Sequence, residues 1–189
     1  MQLSLELDEF VVFDLETTGL SPWGGDEIIE IGAVKIYGNQ VDNENIFHSL
    51  INPKRPIPPS ASRINGITDE MVADAPVVDQ VLPRFWDYVG QSWLVAQNAK
   101  FDLSFLMKYL VRQKMKKQFE VYDTVTMSRR AFPNETGHNL DKIAQRLGLQ
   151  YDSTDRHRSI GDVMITAHAF IRLRERLGSQ VPQREKWNT

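Results

Sequence analysis

Four acidic side chains and one histidine have the types and the spacing for metal-assisted chemistry: Asp14-x-Glu16, then Asp102, then His157-x-x-x-x-Asp162. Asp14 and Glu16 end the apolar, β-favouring run Phe10-Val-Val-Phe13, and strand alternation turns residues two apart to one face. They also fall at the carboxyl end of a strand, where open α/β sheets bind their ligands. Taken alone, an Asp-x-Glu is also the solvated end of an ordinary strand. Asp102 and Asp162 each stand where a helix is expected to open, so each reads singly as a cap for free backbone N–H groups. Capping does not exclude metal binding. Four carboxylates gathered in one place repel strongly unless cations neutralise them, so the set predicts divalent metal. Oxygen ligands favour magnesium or manganese over zinc. Two such ions about 3.5–4 Å apart would clamp the attacking and leaving oxygens of an in-line phosphoryl displacement. His157 lies in the polar stretch Asp152–Ser159, expected to be a mobile loop. An imidazole with its ordinary pKa of about 6.5 suits a general base near neutrality. The other histidines have weaker claims: His48 fits a strand, His138 a loop, and His168 lies off the helical face that Asp162 shares.

These side chains need a scaffold, and the pattern supplies a mixed α/β one. Phe10–Phe13 reads as a buried central strand. Ile28–Tyr37 and a segment near Ile46–Ile51 flank the turn Gly38-Asn39 and read as a hairpin. Asn52–Pro59 holds four prolines and is expected to be a rigid, non-helical connection, with a helix start at Thr68–Met71. Val81, Leu82, Phe85, Trp86 and Val89 form one apolar helical face within Asp79–Val89. Trp93–Ala96 and Phe119–Tyr122 are the fourth and fifth strands, and helices are expected over 101–113, 124–132, 140–147 and 162–176. Strands followed by alternating strands and helices mean a largely buried sheet covered by helices. Residues 1–177 form one domain in this reading, and 178–189 a short, polar, poorly tethered tail.

Composition bounds the function classes. The chain has 189 residues, 41% hydrophobic and 25% charged, which suits one globular domain. Its 22 basic and 25 acidic residues sum to −3, so it does not coat duplex DNA by charge alone. With no cysteine there is no disulfide framework, thiolate zinc site or cysteine nucleophile. The acidic segment Met1–Glu9 does not resemble a signal peptide, and no run of about 18 apolar residues spans a membrane. A cytoplasmic location is the expectation. Lys108, Arg112, Lys114, Lys116 and Lys117 form a basic patch that either steers a strand toward the site or is simply a solvated helix face.

The order and spacing of the three acidic motifs closely resemble the DEDD exonuclease superfamily in its histidine-containing, DnaQ-like branch. That branch includes the proofreading epsilon subunit of bacterial DNA polymerase III and ribonuclease T. The resemblance covers about residues 8–177 and extends to Phe13-Asp-Leu-Glu-Thr-Thr-Gly19, Ile29-Glu-Ile-Gly-Ala33, Ile64-Asn-Gly-Ile-Thr68, Asn98-Ala-Lys-Phe-Asp102 and His138-Asn-Leu140. It implies a ribonuclease H-like fold with a five-stranded mixed sheet. It also implies Asp14, Glu16, Asp102 and Asp162 as ligands of two divalent cations, and His157 as the base that deprotonates the attacking water. The implied reaction is 3′-to-5′ release of nucleoside monophosphates from single-stranded or frayed DNA ends, alone or beside a polymerase subunit. Thr17, Thr18 and Gly19 would meet the terminal nucleotide, Ile64 would press on its base, and Asn98 would bond its sugar or phosphate. Each has a plainer role as turn or core. Asn65 and Gln97 stand where many relatives have histidine. The C-terminal extension of polymerase-associated members is expected to be absent or very short. RNA 3′-trimming and a noncatalytic, nucleic-acid-binding module are the alternative functions.

Overall fold

The computed structural model describes residues 8–152 and 156–189. The first seven residues, and 153–155 within the expected mobile loop, lie outside that range. Six strands form one sheet among the described residues: β1 (Glu9–Thr17), β2 (Ile28–Tyr37), β3 (Gln40–Leu50), β4 (Trp93–Ala96), β5 (Gln118–Asp123) and β6 (Glu185–Asn188). Their order is β3-β2-β1-β4-β5-β6, with β1, β4 and β5 parallel and the remaining pairs antiparallel. The helices are α1 (Pro59–Asn65), α2 (Asp69–Val72), α3 (Val78–Val89), α4 (Ala99–Arg112), α5 (Thr124–Ala131), α6 (Leu140–Leu147) and α7 (Ser159–Leu177).

The alternation of β1 sorts the two faces of the sheet. Val11, Phe13 and Leu15 pack against α3 and α4, whereas Phe10 and Val12 pack against α7 through Val163, Ala167 and Phe170. Rings of Phe10 and Phe170 meet edge-on at 5.0 Å, a geometry that adds to the area both remove from water. Asp14 and Glu16 continue the even-numbered, α7-facing row. The apolar core thus runs directly into the acidic site.

Three expectations require correction. The sheet has a sixth strand rather than five in all, because the end of the chain is held on the sheet and does not hang free. β6 pairs with β5 from Gln118↔Asn188 to Val121↔Glu185, Trp187 packs on the core, and the Arg184 guanidinium lies 4.1 Å from the Trp93 ring centre. This polar segment has almost no apolar alternation of its own, so an unpaired β5 edge decides its structure. Helix α1 begins at Pro59, directly after the proline-rich connection, and brings Ile64 and Asn65 beside the end of β1. Finally, α4 and α7 start at Ala99 and Ser159, earlier than expected, so Asp102 and Asp162 lie one turn inside and neither is an N-cap.

β2 bends close to α7. Gly32 pairs with Asp14, and a Cβ added there would lie 2.6 Å from Ser159 Oγ, 2.9 Å from Ile160 Cδ1 and 3.0 Å from the Ser159 carbonyl carbon. Backbone on one side and a buried helix start on the other leave no slack. Gly32→Ala is expected to destabilise the fold by about 1–3 kcal/mol, as overpacking does, measured as a lower urea midpoint.

Candidate active site

The acidic residues meet at the carboxyl ends of β1 and β4. Carboxylate oxygens of Asp14, Glu16 and Asp162 all lie within 4.8 Å of one another. Asp14 and Glu16 arrive from the α7-facing row of β1, and Asp162 arrives from the first turns of α7, where it is 8% exposed. A register shift after Glu16 ends the regular pairing of β1 with β2, as bulges beside active sites do.

Asp102 comes from the opposite face. β1 and β4 pair only through Phe10–Val12, after which β4 leads away into α4. The edge of β1 is then open, and the Leu15 N–H donates to Asp102 Oδ1 at 3.1 Å. Asp102 is 3% exposed. The bond ties α4 to the strand that carries the other two carboxylates.

Crowding perturbs these acids strongly. Burial first, and then the charges of Asp102, Glu16 and Asp162, push Asp14 well above the ordinary carboxylate range, against a smaller opposing effect of Arg156. Glu16 is pushed up to about 8, by burial first and then by Asp162, Glu30 and Asp102. Asp102 is also pushed up to about 8, chiefly by burial, although its bond from Leu15 N–H acts the other way. Among the described residues, Arg156 answers part of this charge by donating to Asp162 and, through Nε at 2.7 Å, to Asp141, and Arg158 interacts with Glu16. Both guanidinium groups are shared with acids outside the cluster, Asp141 and Glu30, and they leave Asp14 and Glu16 above the ordinary carboxylate range. The donor set is all oxygen, convergent and starved of positive charge, and it therefore fits hard divalent cations.

The direction of these shifts sets a pH dependence. Glu16 and Asp102 hold protons in the folded chain that they would release on unfolding between their ordinary values and about 8. The stability they contribute is present below the ordinary carboxylate range and is lost as pH rises through about 8. In chelator, urea midpoints are expected to fall as pH is raised from 5 toward about 8. Manganese should reverse the loss, and calorimetry at pH 7 in buffers of different ionisation enthalpy should detect proton release on metal binding. A pH-independent midpoint in chelator would contradict the protonated state of the site.

A cavity of about 340 Å³ opens next to Glu16, walled by Thr17, Thr18, Gly19, Leu20, Ala61, Ile64, Asn65 and Phe101 among others. Leu20 and Ile64 are 83% and 63% exposed, which leaves two apolar side chains presented to solvent at the pocket. Of the residues expected to contact the nucleotide, Ile64 lines the cavity. Thr17 and Thr18 line it too, but their hydroxyls are committed: Thr17 Oγ1 donates to the Gly19 carbonyl at 2.7 Å, and Thr18 Oγ1 to Asp26 Oδ1 at 3.1 Å. The Asp26 carboxylate packs where a Gly19 Cβ would stand, so that glycine serves the turn itself. Asn98 is exposed at a left-handed backbone position (φ 57°), outside this cavity, and its N–H donates to Asp123 Oδ1 at 3.0 Å.

His157 is exposed just before α7, also with a left-handed backbone (φ 62°). Asp141 is held below its ordinary range by its Arg156 bond first and by the Tyr151 hydroxyl, with the nearby charge of His157 adding to them. The competing histidines have other duties. His48 Nε2 bonds Glu30 Oε1 at 2.9 Å, and His138 Nδ1 bonds Ser128 Oγ at 2.9 Å. The basic patch is largely occupied as well: Lys108 bonds Glu27 at 2.7 Å, Arg112 pairs with Asp79, and Lys117 covers the Trp86 ring.

Residues that sequence reasoning missed are Leu20, Phe101, Arg156 and Glu30. Proximity in sequence to the motifs was the one available signal for the first three. Asn65, which stands where many relatives have histidine, is buried and bonds both the Ile67 N–H, at 3.0 Å, and Glu16.

Comparison with known proteins agrees with this geometry. The family model described as "Exonuclease" (RNase_T) matches residues 11–170. A DNA polymerase III subunit epsilon-like protein of Rhodobacter capsulatus is 44% identical over 164 residues, covering 87% of this chain and 23% of its own length. A PolC-type DNA polymerase III of Caldanaerobacter subterraneus is 39% identical over 176 residues, covering 93% of this chain and 12% of its own. The chain thus spans only a quarter or less of these curated relatives. Among solved structures, Exonuclease X in complex with 5′-overhanging duplex DNA is 29% identical with a TM-score of 0.74, covering 91% of this chain and 96% of that one. The nuclease domain of 3′hExo, a DEDDh family member bound to rAMP, shares the fold at 21% identity and a TM-score of 0.81, covering 97% of this chain and 99% of that one. The chain belongs to the exonuclease family, and this domain is similar in sequence to part of an epsilon-like DNA polymerase III subunit and to Exonuclease X.

Proposed function

We propose that this domain removes nucleoside monophosphates from the 3′ end of single-stranded or frayed DNA, as a proofreading partner of a DNA polymerase. The observation that carries the reading is the meeting of Asp14, Glu16 and Asp162 within 4.8 Å beside an apolar cavity large enough for a nucleoside. Asp14, Glu16, Asp102 and Asp162 would hold two divalent cations, magnesium or manganese. When bound, such ions supply charge for both the attacking and the leaving oxygen of the phosphodiester.

The chain's own groups do the rest. Leu20, Ile64 and Phe101 take the terminal base into apolar surroundings and exclude water from that side. Asn98, exposed at the start of α4, is available to the sugar or phosphate. His157, exposed just before α7 and open to solvent, takes the proton from the attacking water at a ring nitrogen. Arg156 must give up Asp162 for the ligand set to be complete, and Asp141 retains it at the rim. A role in replication implies action in the cytoplasm, and no helix among the described residues is long and apolar enough to cross a membrane.

RNA trimming is the second reading, favoured by the relative captured with rAMP. The deciding experiment follows a 5′-labelled single-stranded DNA and its RNA counterpart with magnesium, manganese or chelator. A metal-dependent ladder shortening from the 3′ end, faster on DNA, is expected. Faster RNA loss would move the substrate to the second reading. Intact strands under every condition would leave a noncatalytic binding module.

A further inference from the structure

Glu30 lies on β2 directly across from Glu16, and its side chain is 1% exposed. Two like charges opposed across a strand pair are destabilising, and a buried carboxylate needs partners. Glu30 has an unusual number of them. Arg158 Nη2 donates to Oε1 at 2.6 Å, Arg158 Nε to both oxygens at 3.1 and 3.2 Å, His48 Nε2 meets Oε1 at 2.9 Å, and the Ser159 N–H donates to Oε2 at 2.9 Å. Burial alone would raise its pKa, but the bonds from His48, Arg158 and Ser159 outweigh it and hold the carboxyl at about 2.

Two of those partners, Arg158 and Ser159, are consecutive residues at the start of α7. That helix has no side-chain cap of its own at its N-terminus, where the first N–H groups lack intrahelical partners. Glu30 supplies the missing acceptor from a strand 129 residues away in sequence. Gly32, one step along the same face of β2, gives the helix start the room to dock, as the 2.6 Å approach to Ser159 Oγ demonstrates. His157 immediately precedes the gripped pair with φ 62°. A non-glycine residue in the left-handed region persists where its surroundings over-determine it. Asp162 follows within the first turns, and its N–H bonds the Arg158 carbonyl at 3.0 Å.

We propose that Glu30 is a positioning residue: by gripping Arg158 and the Ser159 N–H it locks the turn that presents His157 and the helix start that presents Asp162 onto the strand pair carrying Asp14 and Glu16. It touches neither substrate nor reacting atoms. The inference rests on the reaction proposed above for the roles of His157 and Asp162, but the mechanical claim stands apart from it.

The test compares Glu30→Gln and Arg158→Gln with the unaltered chain. Glu30→Gln keeps one acceptor for Ser159 and loses the charge that holds the guanidinium; Arg158, at 38% side-chain exposure, is the milder site should Glu30→Gln fold poorly. Loss of an outer partner of this kind costs about 10–100-fold in activity or metal affinity. Turnover of labelled single-stranded DNA is expected to fall by that factor with KM changed less than about threefold, because Leu20, Ile64 and Phe101 lie on other elements. Independently of turnover, amides of residues 159–162 should exchange hydrogen faster while those of β4 and β5 stay protected, and manganese affinity measured by calorimetry should fall. Unchanged exchange at 159–162 in both variants would overturn the proposal, whether or not the domain cuts DNA. So would unchanged turnover and manganese affinity in folded protein whose melting temperature has dropped, since that is the mark of a purely structural ion pair. Absence of nuclease activity in the unaltered chain would count against the proposed function alone.

Discussion

Asp14→Asn is expected to abolish measurable exonuclease activity while leaving the metal-free fold as stable as before, or more so. Asp14 faces Glu16 and Asp162 within 4.8 Å and feels Asp102 as well. A neutral amide of the same shape cannot ionise, so it adds no charge to that crowd as pH rises and spares the metal-free site the repulsion that an ionised Asp14 would bring. The same change takes a ligand oxygen from the position where Asp14 meets the other acids. Charge stabilisation by bound cations is worth several kcal/mol in phosphoryl transfer, and each 1.36 kcal/mol is a factor of ten. A loss of about 10³-fold or more in turnover is therefore expected, together with weaker manganese binding in a titration. Thermal melts in chelator should show an unchanged or higher midpoint. A variant that keeps both metal affinity and activity would show that the acidic cluster is not the catalytic centre. One that lost activity by unfolding would contradict the electrostatic account, since the site would then be supporting the fold rather than straining it. Stability and activity pull apart at sites of this kind.

His157→Asn should separate the base from the metal site. The substitution retains a side chain tolerant of the left-handed backbone at φ 62° and removes the group able to accept the proton. Turnover is expected to fall by about 10²–10⁴, the usual contribution of a general base. Manganese affinity should change little, because the cluster is built from Asp14, Glu16 and Asp162. Exposure of His157 also argues that the melting temperature will barely move. The rate should recover partly as pH rises, since hydroxide then substitutes for the missing base. Undiminished turnover would assign the proton to another acceptor.

Arg156 complicates both experiments in a useful way. It bonds Asp162 and Asp141 together, so titrations with manganese measure displacement of a guanidinium as well as coordination.

Much of this molecule is legible in its amino-acid order because the relevant forces are local. The even-numbered row of β1 places Phe10 and Val12 in the core and Asp14 and Glu16 beyond them on one face, and period-two geometry alone requires that. Apolar spacing located most helices and the first five strands, since each element must bury one stripe. The acids themselves stand out by type, and their order along the chain led to the family that the comparisons bear out.

Tertiary structure decided what no local pattern encodes. Asp102 reads locally as a helix cap, yet it bonds Leu15 because β4 stops pairing with β1 after Val12 and leaves that N–H exposed to α4. The polar residues 185–188 become a strand because β5 offers them an open edge. The resemblance places Thr17 and Thr18 at the terminal nucleotide or in a plain turn, and the packed turn supplies hydroxyl partners that the sequence does not specify: the Gly19 carbonyl for Thr17 and Asp26 for Thr18. Glu30 sits in an apolar strand whose own sequence does not account for its charge; its partners are His48 on the neighbouring strand and, from far along the chain, Arg158 and Ser159. A hydrogen bond or ion pair depends on where two distant segments come to rest, and that position is a property of the packed whole.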